Sequence, residues 1–432
     1  MTDVVTQAPA ETALEPIYRR NFLWFLIDGI LFMVALNMIG ATTVIPDFMR
    51  NLTNSEILIG ISGSIFDVGW TLPQLFVARY IVRATRKKWW FVAPNIPARF
   101  IIVIFAGILF FLGKDQPQLI LVVFLICYGL LGVGDGLVGV PWADLMGSSL
   151  DNRWRARTFG LMSASTGVIM LVMTQLIAYI LGNTAWPFPT NYTVLFALSG
   201  ILFVLSILPG LFIHELPGGK PVEKLTSLSE FLPQLGHVLR TDTPFRALII
   251  TRMLTSLFTM AAPFYVGYAT TQLGLSSEVA VPNLLAMQTI GNILGALVYT
   301  WLGARDNALY IRLALGCAAL LPISALVAGV VGPAPLYFGF LMSGLALSNL
   351  FFSYQNWVVS HAVPDQRPIY IGLFNTISAV ISFAAPFIAG TIVTTSGYSP
   401  LFAVAILMVL AAFYMASRYI TNPKPQTTSV SG

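Results

Sequence analysis

The chain has 432 residues, of which 56% are hydrophobic and only 9% charged, with a formal net charge of +5. A soluble globular chain carries about 25% charged residues, so this composition leaves too few polar groups to cover a water-facing surface. Apolar stretches of about 20 residues recur along the whole length, each long enough as a helix to cross roughly 30 Å of hydrocarbon, and the expected class is an all-α polytopic membrane protein.

Twelve spans are predicted, near 22–46, 57–78, 89–112, 118–140, 158–181, 192–213, 245–268, 281–302, 309–331, 335–358, 369–394 and 398–418. The opening "YRRNFLWF" resembles a twin-arginine export signal. Its apolar run is long, contains Asp28 and lacks a clear small-residue cleavage site, so a retained first helix is expected. Of 23 Lys and Arg, 19 fall in the N-terminal tail, the even-to-odd loops or the C-terminal tail, while only Arg50 and Lys114 occupy the other loops. The positive-inside rule then puts both tails, 1–21 and 419–432, in the cytoplasm. Trp89, Trp90, Trp142 and Trp357 are read as interfacial anchors at the cytoplasmic ends, and Trp186 as one outside.

The fourth span carries "GVGDGLVG", which matches G-x-G-x-x-G. A dinucleotide site needs a strand before those glycines; inside one span they read as close helix packing. Cys127 and Cys317 sit in apolar runs, and His214, His237 and His361 at loops or helix ends, so neither a disulfide framework nor a metal or other cofactor is implied. Between the sixth and seventh spans lies the segment 214–244. Its "SLSEFLPQLGHVL" has apolar residues at helical spacing, with Ser227 and Glu230 placed for a capping box, and it predicts an amphipathic surface helix. Thr243 and Pro244 then read as cap and first residue of the seventh span.

The chain repeats itself. "GVPWADLMGSSLDNRWRARTFG", at 139–160, has a counterpart in "GLALSNLFFSYQNWVVSHAVPDQRPIYIG". Gly129 precedes Trp142 by the same distance as Gly344 precedes Trp357, and Asp151 and Arg153 fall on Asp365 and Arg367. "NLTNSEI" falls on "LGLSSEV", with Ser55 and Ser277 separated by an offset of 222. Two six-helix parallel pseudo-repeats are therefore expected, 22–213 and 245–418, because an even number of spans separates equivalent points.

On these residues the sequence resembles the major facilitator superfamily over nearly its whole length. "ARYIVRATRKK", between the second and third spans, is similar to that family's loop motif G-x-x-x-D-R-x-G-R-K. Arg83, Arg86 and Lys87 match it, while Ala78, Val82 and Thr85 replace glycine, aspartate and glycine. "APFIAG" in the eleventh span looks like the antiporter element G-P-x-x-G-G, with Ala385 and Ala389 in place of glycines. Tyr128 stands where proton-coupled exporters of the family place an arginine in the fourth helix. The loops resemble those of bacterial permeases of this family. The resemblance implies the fold, transport, and a central cavity between the first, second, fourth and fifth helices and their counterparts.

An ionisable residue in hydrocarbon costs roughly 2.5–3.5 kcal/mol and is a functional candidate by default. Five are found: Asp28, Asp67, Arg99, Asp135 and Arg252. For Arg99 a structural pair with a carboxylate of the same half is expected; Asp28, Asp67, Asp135 and Arg252 are candidates for the cavity, and Asp28 and Asp67 for proton coupling. A further expectation is a cytoplasmic-side latch between Asp28 and Arg252 across the halves, formed only when the inner side is closed and so stabilising the outward-open state. Asn37, Gln175, Gln288, Asn292, Asn349 and Asn375 are polar cavity candidates, each equally readable as an interhelical tie. Arg83, Arg86, Lys87, Asp151, Arg153, Asp365 and Arg367 are candidates for a cytoplasmic gate. The functional expectation is a permease in the cytoplasmic membrane that moves a small solute by alternating access, with protons as candidate coupling ion, no nucleic-acid partner and a monomeric state. The rivals are a non-transporting sensor of the same fold and a membrane-embedded enzyme, for which no clustered nucleophile, base or metal set is seen.

Overall fold

A computed structural model describes residues 8–81, 87–150, 152–216, 239–303, 305–362 and 367–422. Everything described is helical or connects helices, and eleven helical stretches among the described residues are long and apolar enough to cross a membrane. The chain is an all-α multi-pass membrane protein. Helix α3, Glu56–Ile81, occupies the place of the expected second span. The amphipathic helix expected around 227–239 falls almost wholly outside the described residues.

The elements before residue 217 form an N-terminal section. These are α1 (Ala8–Met38), α2 (Val44–Arg50), α3, α4 (Lys88–Leu112), α5 (Pro117–Ser149), α6 (Asn152–Gly182), α7 (Thr190–Leu205) and α8 (Ile207–Phe212). The C-terminal section holds α9 (Thr243–Thr259), α10 (Phe264–Thr271), α11 (Ser277–Val298, ending in a π turn over Tyr299–Gly303), α12 (Asn307–Ala318) and α13 (Leu320–Val331). It continues with α14 (Ala334–Leu347), α15 (Leu350–His361), α16 (Arg367–Ser396) and α17 (Tyr398–Tyr419). The side from which α1 starts and at which α17 ends is called the termini side below, and the opposite side the far side.

The first and seventh spans are not continuous. α1 stops at Met38 and the chain turns through Gly40–Thr43 before α2; α9 stops at Thr259 and turns through Met260–Pro263 before α10. Backbone groups freed inside a membrane protein are tolerated only where protein or a cavity satisfies them. The seventh span is capped one residue earlier than expected, by Asp242, whose side chain accepts the Phe245 N–H at 2.9 Å. α5 also runs past its expected end to Ser149, and α6 begins at Asn152. Arg153, Arg155 and Arg157 thus lie in the first turns of α6, where the helix dipole disfavours cations, so helix stability does not account for them.

Small residues set the tightest crossings. Gly132 and Gly136 of α5 lie against the backbone of Phe66 and Trp70 in α3, and a methyl group on either would overlap a carbonyl oxygen there. Gly291 and Gly295 of α11 meet the backbone of Leu341 and Leu345 in α14 in the same way. The nucleotide-like glycines of the fourth span are therefore packing residues: Gly134 abuts Ala98 and Gly136 abuts Trp70. Between the sections, α3 packs along α16 and α6 along α11.

Candidate functional site

Where the two sections meet lies a cavity of about 200 Å³. Its wall includes the broken stretches themselves, Ala41 and Thr42 from one and Met260, Ala262 and Pro263 from the other. The polar lining is Thr42, Ser64 and Asp67 from the N-terminal section, with Ser256, Thr259, Tyr265, Gln288, Ser343 and Ser382 from the C-terminal section. Thr42 reaches Gln288 Oε1 across the interface at 3.4 Å. Ser256 Oγ and the Tyr265 hydroxyl are buried with no hydrogen-bond partner among the described residues, an arrangement that costs about 1–3 kcal/mol per group unless a bound species satisfies it.

Asp67 stands about 16 Å along α3 from Glu56, at 1.5 Å per residue, and is exposed to the cavity. Arg252 lies one turn from Ser256 toward the termini side. Its Nε donates to Ser378 Oγ at 3.2 Å, and its guanidinium packs against the rings of Phe351 and Phe374, 5.6 and 5.9 Å from their centres. The two side chains are electrostatically coupled across the section interface, yet they do not touch as an ion pair, since the ion pairs among the described residues do not include them.

A second charged group lies entirely within the N-terminal section. Arg99 Nη2 bonds Asp135 Oδ1 at 3.1 Å, its Nε bonds Asn95 Oδ1 at 3.1 Å, and its guanidinium sits 4.0 Å from the centre of the Phe32 ring. Asp28 belongs to this group through its coupling to Arg99 and accepts the Trp142 indole N–H at 2.9 Å. Asp135 thus pairs with the guanidinium directly, and Asp28 lies within electrostatic reach of it without contact. Asp28 finds its partners in its own section, and Arg252 finds Ser378 in its own; the Asp28–Arg252 latch is expected only with the inner side closed, and a structure closed on the far side does not test it. Trp142 is a hydrogen-bond donor to Asp28 rather than an interfacial anchor. Trp357 is buried, donates to the Thr421 carbonyl at 2.8 Å and stacks on His361. Trp89 and Trp90 are exposed, as anchors are.

The neutral candidates separate. Gln288 lines the cavity. Asn292 is exposed one turn further along the same face of α11, and Asn375 lies two turns from the lining residue Ser382. Asn37 instead donates to the Met33 carbonyl of its own helix at 2.7 Å, and Asn349 to Ser348 Oγ at 3.1 Å. Gln175 shares its helix face with exposed Val168, Val172 and Tyr179, an apolar stripe on the outside of the bundle. Among the expected gate residues, Arg83, Arg86, Asp151 and Asp365 lie outside the described residues. Lys87 forms an ion pair with Asp144 within its own section, Arg153 is exposed in the first turn of α6, and Arg367 starts α16.

On the far side the sections are locked by residues that sequence reasoning passed over. Asp47 accepts from the Tyr192 hydroxyl of its own section and from Ser277 Oγ of the other at 2.7 Å. Arg50 pairs with Glu56 at 2.9 Å and lies against Gly267, while Glu56 accepts from the Tyr398 hydroxyl at 3.1 Å. The available signals were Arg50, one of two cations in the sparsely charged loops, and Glu56, the repeat partner of Glu278. The three hydrogen bonds between described residues that join the sections are those of Thr42, Asp47 and Glu56. On the termini side, Asp242 gathers three spans of one section: besides capping α9 it binds His361 Nε2 and the Tyr370 hydroxyl, each at 2.8 Å. Burial pushes its carboxyl up, but these bonds outweigh it and hold the carboxyl below the ordinary aspartate range.

Broken helices bracketing a polar cavity between two packed sections define a membrane transporter of the secondary type. The family profile of the Major Facilitator Superfamily matches residues 30–386, and the chain belongs to that superfamily. Its members are transporters, not enzymes, and among the described residues no group of three His, Cys, Asp or Glu is placed to hold a metal. No curated protein matches the sequence significantly. A crystal structure of a mutant of the nucleoside transporter NupG superposes with a TM-score of 0.68 at 14% identity, over 92% of this chain and 98% of that one. A bacterial homologue of the human lysosomal transporter Spinster, inward-facing and unoccupied, gives a TM-score of 0.65 at 13% identity, over 95% and 99%. A mutant of the peptide transporter POT in complex with sulfate gives 0.65 at 13% identity, over 92% and 94%.

Proposed function

We propose that the chain carries a small polar solute by alternating access of two six-helix halves, 22–213 and 245–418, with both termini in the cytoplasm and proton coupling through Asp28 and Asp67. The observation that carries this reading is a polar cavity at the interface of the sections, with their hydrogen bonds to each other at mid-depth and on the far side. That is the pattern of a state closed on the far side. The halves as repeats are supported by matching breaks at Gly40–Thr43 and Met260–Pro263, matching starts of α3 and α11, and glycine crossings in equivalent helix pairs. The cargoes named for the similar structures, nucleosides and peptides, are small polar organic solutes, the class proposed here.

Proton coupling rests on charge count. Asp28 and Asp135 lie with Arg99 in a buried site, and with all three ionised the group would carry a net negative charge. Uncompensated charge in such a site is costly, so a proton held by the carboxylates neutralises it. Asp28 is the natural holder, because Asp135 has the direct ion pair and Asp28 only an indole donor. Asp67, open to the cavity, is the second site. Screening solutes in proteoliposomes with an imposed pH gradient tests the whole reading. Asp28→Asn and Asp67→Asn should each abolish gradient-driven accumulation and leave solute exchange measurable. Normal accumulation by both variants overturns the coupling assignment, and no movement of any solute overturns transport.

A further inference from the structure

We infer that the cavity takes a zwitterion of amino-acid size, its cationic end at Asp67 and its carboxylate at Arg252; this rests on the transport reading and adds the substrate class. Asp67 lines the cavity; on the other section Arg252 and the Ser378 it bonds each stand one turn from a lining residue, Ser256 and Ser382. Among the described residues neither Asp67 nor Arg252 forms an ion pair. Asp67 has no side-chain hydrogen bond among the described residues; only its backbone carbonyl is engaged, by Thr71. Arg252 uses Nε alone, on Ser378, while Phe351 and Phe374 hold the guanidinium plane. Among the described residues its two terminal nitrogens have no hydrogen-bond partner, which leaves the edge of the fork that binds a carboxylate in bidentate fashion.

A purely anionic solute would leave Asp67 uncompensated, a purely cationic one would leave Arg252 so, and an uncharged one would leave both. A zwitterion satisfies both at once. It also bridges the sections, which are otherwise joined at this depth by the long Thr42–Gln288 bond. The two orphaned hydroxyls, Ser256 Oγ and that of Tyr265, supply neutral hydrogen bonds beside the charged ends. The volume of about 200 Å³ falls below the roughly 300–1,000 Å³ of pockets for drug-sized ligands, and it suits a single amino acid or betaine.

The test is thermal unfolding of the detergent-purified full chain with free amino acids, trimethylglycine and γ-aminobutyrate. Each active compound is compared with its methyl ester, which removes the anion, and, for a primary or secondary amine, with its N-acetyl derivative, which removes the cation. Glucose and uridine serve as neutral probes. At least one zwitterion should raise the unfolding temperature at millimolar concentration, and its ester and acetyl forms should not. Arg252→Gln and Asp67→Asn should each weaken the response about tenfold or more, with Arg252→Lys and Asp67→Glu recovering part of it. The inference is overturned if no zwitterion stabilises the parent, or if blocked forms or the neutral probes do so equally. Counterflow in proteoliposomes separates the two readings. Counterflow of uridine or glucose with none for zwitterions keeps transport and removes the substrate class. A stabilising zwitterion that shows no counterflow keeps the site and removes transport.

Discussion

Gly390→Ala should turn the protein outward. Gly390 lies in α16 where it crosses the start of α3, and a methyl group built there would stand 2.5 Å from the Ile57 Cα and 2.7 Å from its amide nitrogen. Those are backbone atoms and no rotamer relieves them. Ordinary contact begins at 3.4 Å, so the helices must part by roughly 1 Å. Overpacking of this kind costs about 1–3 kcal/mol. The cost applies only while the far side is closed, because an outward-open state separates α3 from α16 there. The equilibrium therefore moves toward the outward-open state by about 5- to 150-fold. Ser64 lines the cavity, so a cysteine at this position, with Cys127 and Cys317 replaced by serine, reports access from outside to a membrane-impermeant maleimide. Labelling should rise in Gly390→Ala and stay at the parent level in Gly160→Ala, where nothing lies within 4 Å. Cysteines replacing Arg153 and Arg367 should cross-link more readily in the same variant, as the inner side closes. Equal outside labelling of Gly390→Ala and parent refutes both the gate and the direction of closure.

Asp47→Asn should weaken the far-side lock less, by about 0.5–1.5 kcal/mol, and raise outside labelling of the same cysteine by less than about tenfold. Arg99→Leu leaves two buried carboxylates without their cation and should cost about 3–5 kcal/mol, whereas Arg99→Leu with Asp135→Leu should regain most of it; unfolding temperatures of the purified variants check this, and an equally unstable double variant would refute the pairing. Asp242 has a carboxyl held below its unfolded value of about 3.9. Its contribution is then present above about pH 4 and lost as pH falls through the folded value. Asp242→Asn should lower the unfolding temperature at neutral pH and flatten the decline below about pH 4, and an acid limb identical to the parent's would remove Asp242 from that role.

Helix existence was legible because a membrane span is an average property: some 20 apolar residues suffice, and no partner needs to be known. Helix ends and breaks were less so. The far ends of the first and seventh spans read as uninterrupted apolar sequence, since Gly40 and Pro263 are common inside membrane helices and only tertiary context turns them into corners. The charged residues show the same limit. Their burial could be read from position, and the pairing of Arg99 within its own section from the cost of leaving it unpaired. Which carboxylate it meets depends on helix rotation, which hydropathy does not encode. Asp28 was matched to Arg252 by depth, which is one coordinate; its azimuth, which in this state turns it toward Trp142, was not readable.

The far-side lock escaped for a different reason. Asp47, Arg50 and Glu56 look like ordinary residues at the ends of spans, where charge carries no insertion cost and raises no suspicion. Their importance comes from what they meet: Ser277 is 230 residues from Asp47, and Tyr398 is 342 residues from Glu56. On the alternating-access reading proposed above, such pairs hold in only one state, so each must be strong enough to close the gate and weak enough to release it. Hydrogen bonds to charged groups contribute about 1.5–3 kcal/mol, whereas leaving one partner of a largely buried ion pair unpaired costs about 3–5 kcal/mol. The pairing Arg50–Glu56 stays within one section, and only hydroxyl donors, Ser277 and Tyr398, cross the interface to the carboxylates. A salt bridge across it would risk a trapped outer gate. On this reasoning, placing a lysine at Ser277, opposite Asp47, should lock the far side: outside labelling should fall, exchange should slow, and unfolding temperature should not decrease.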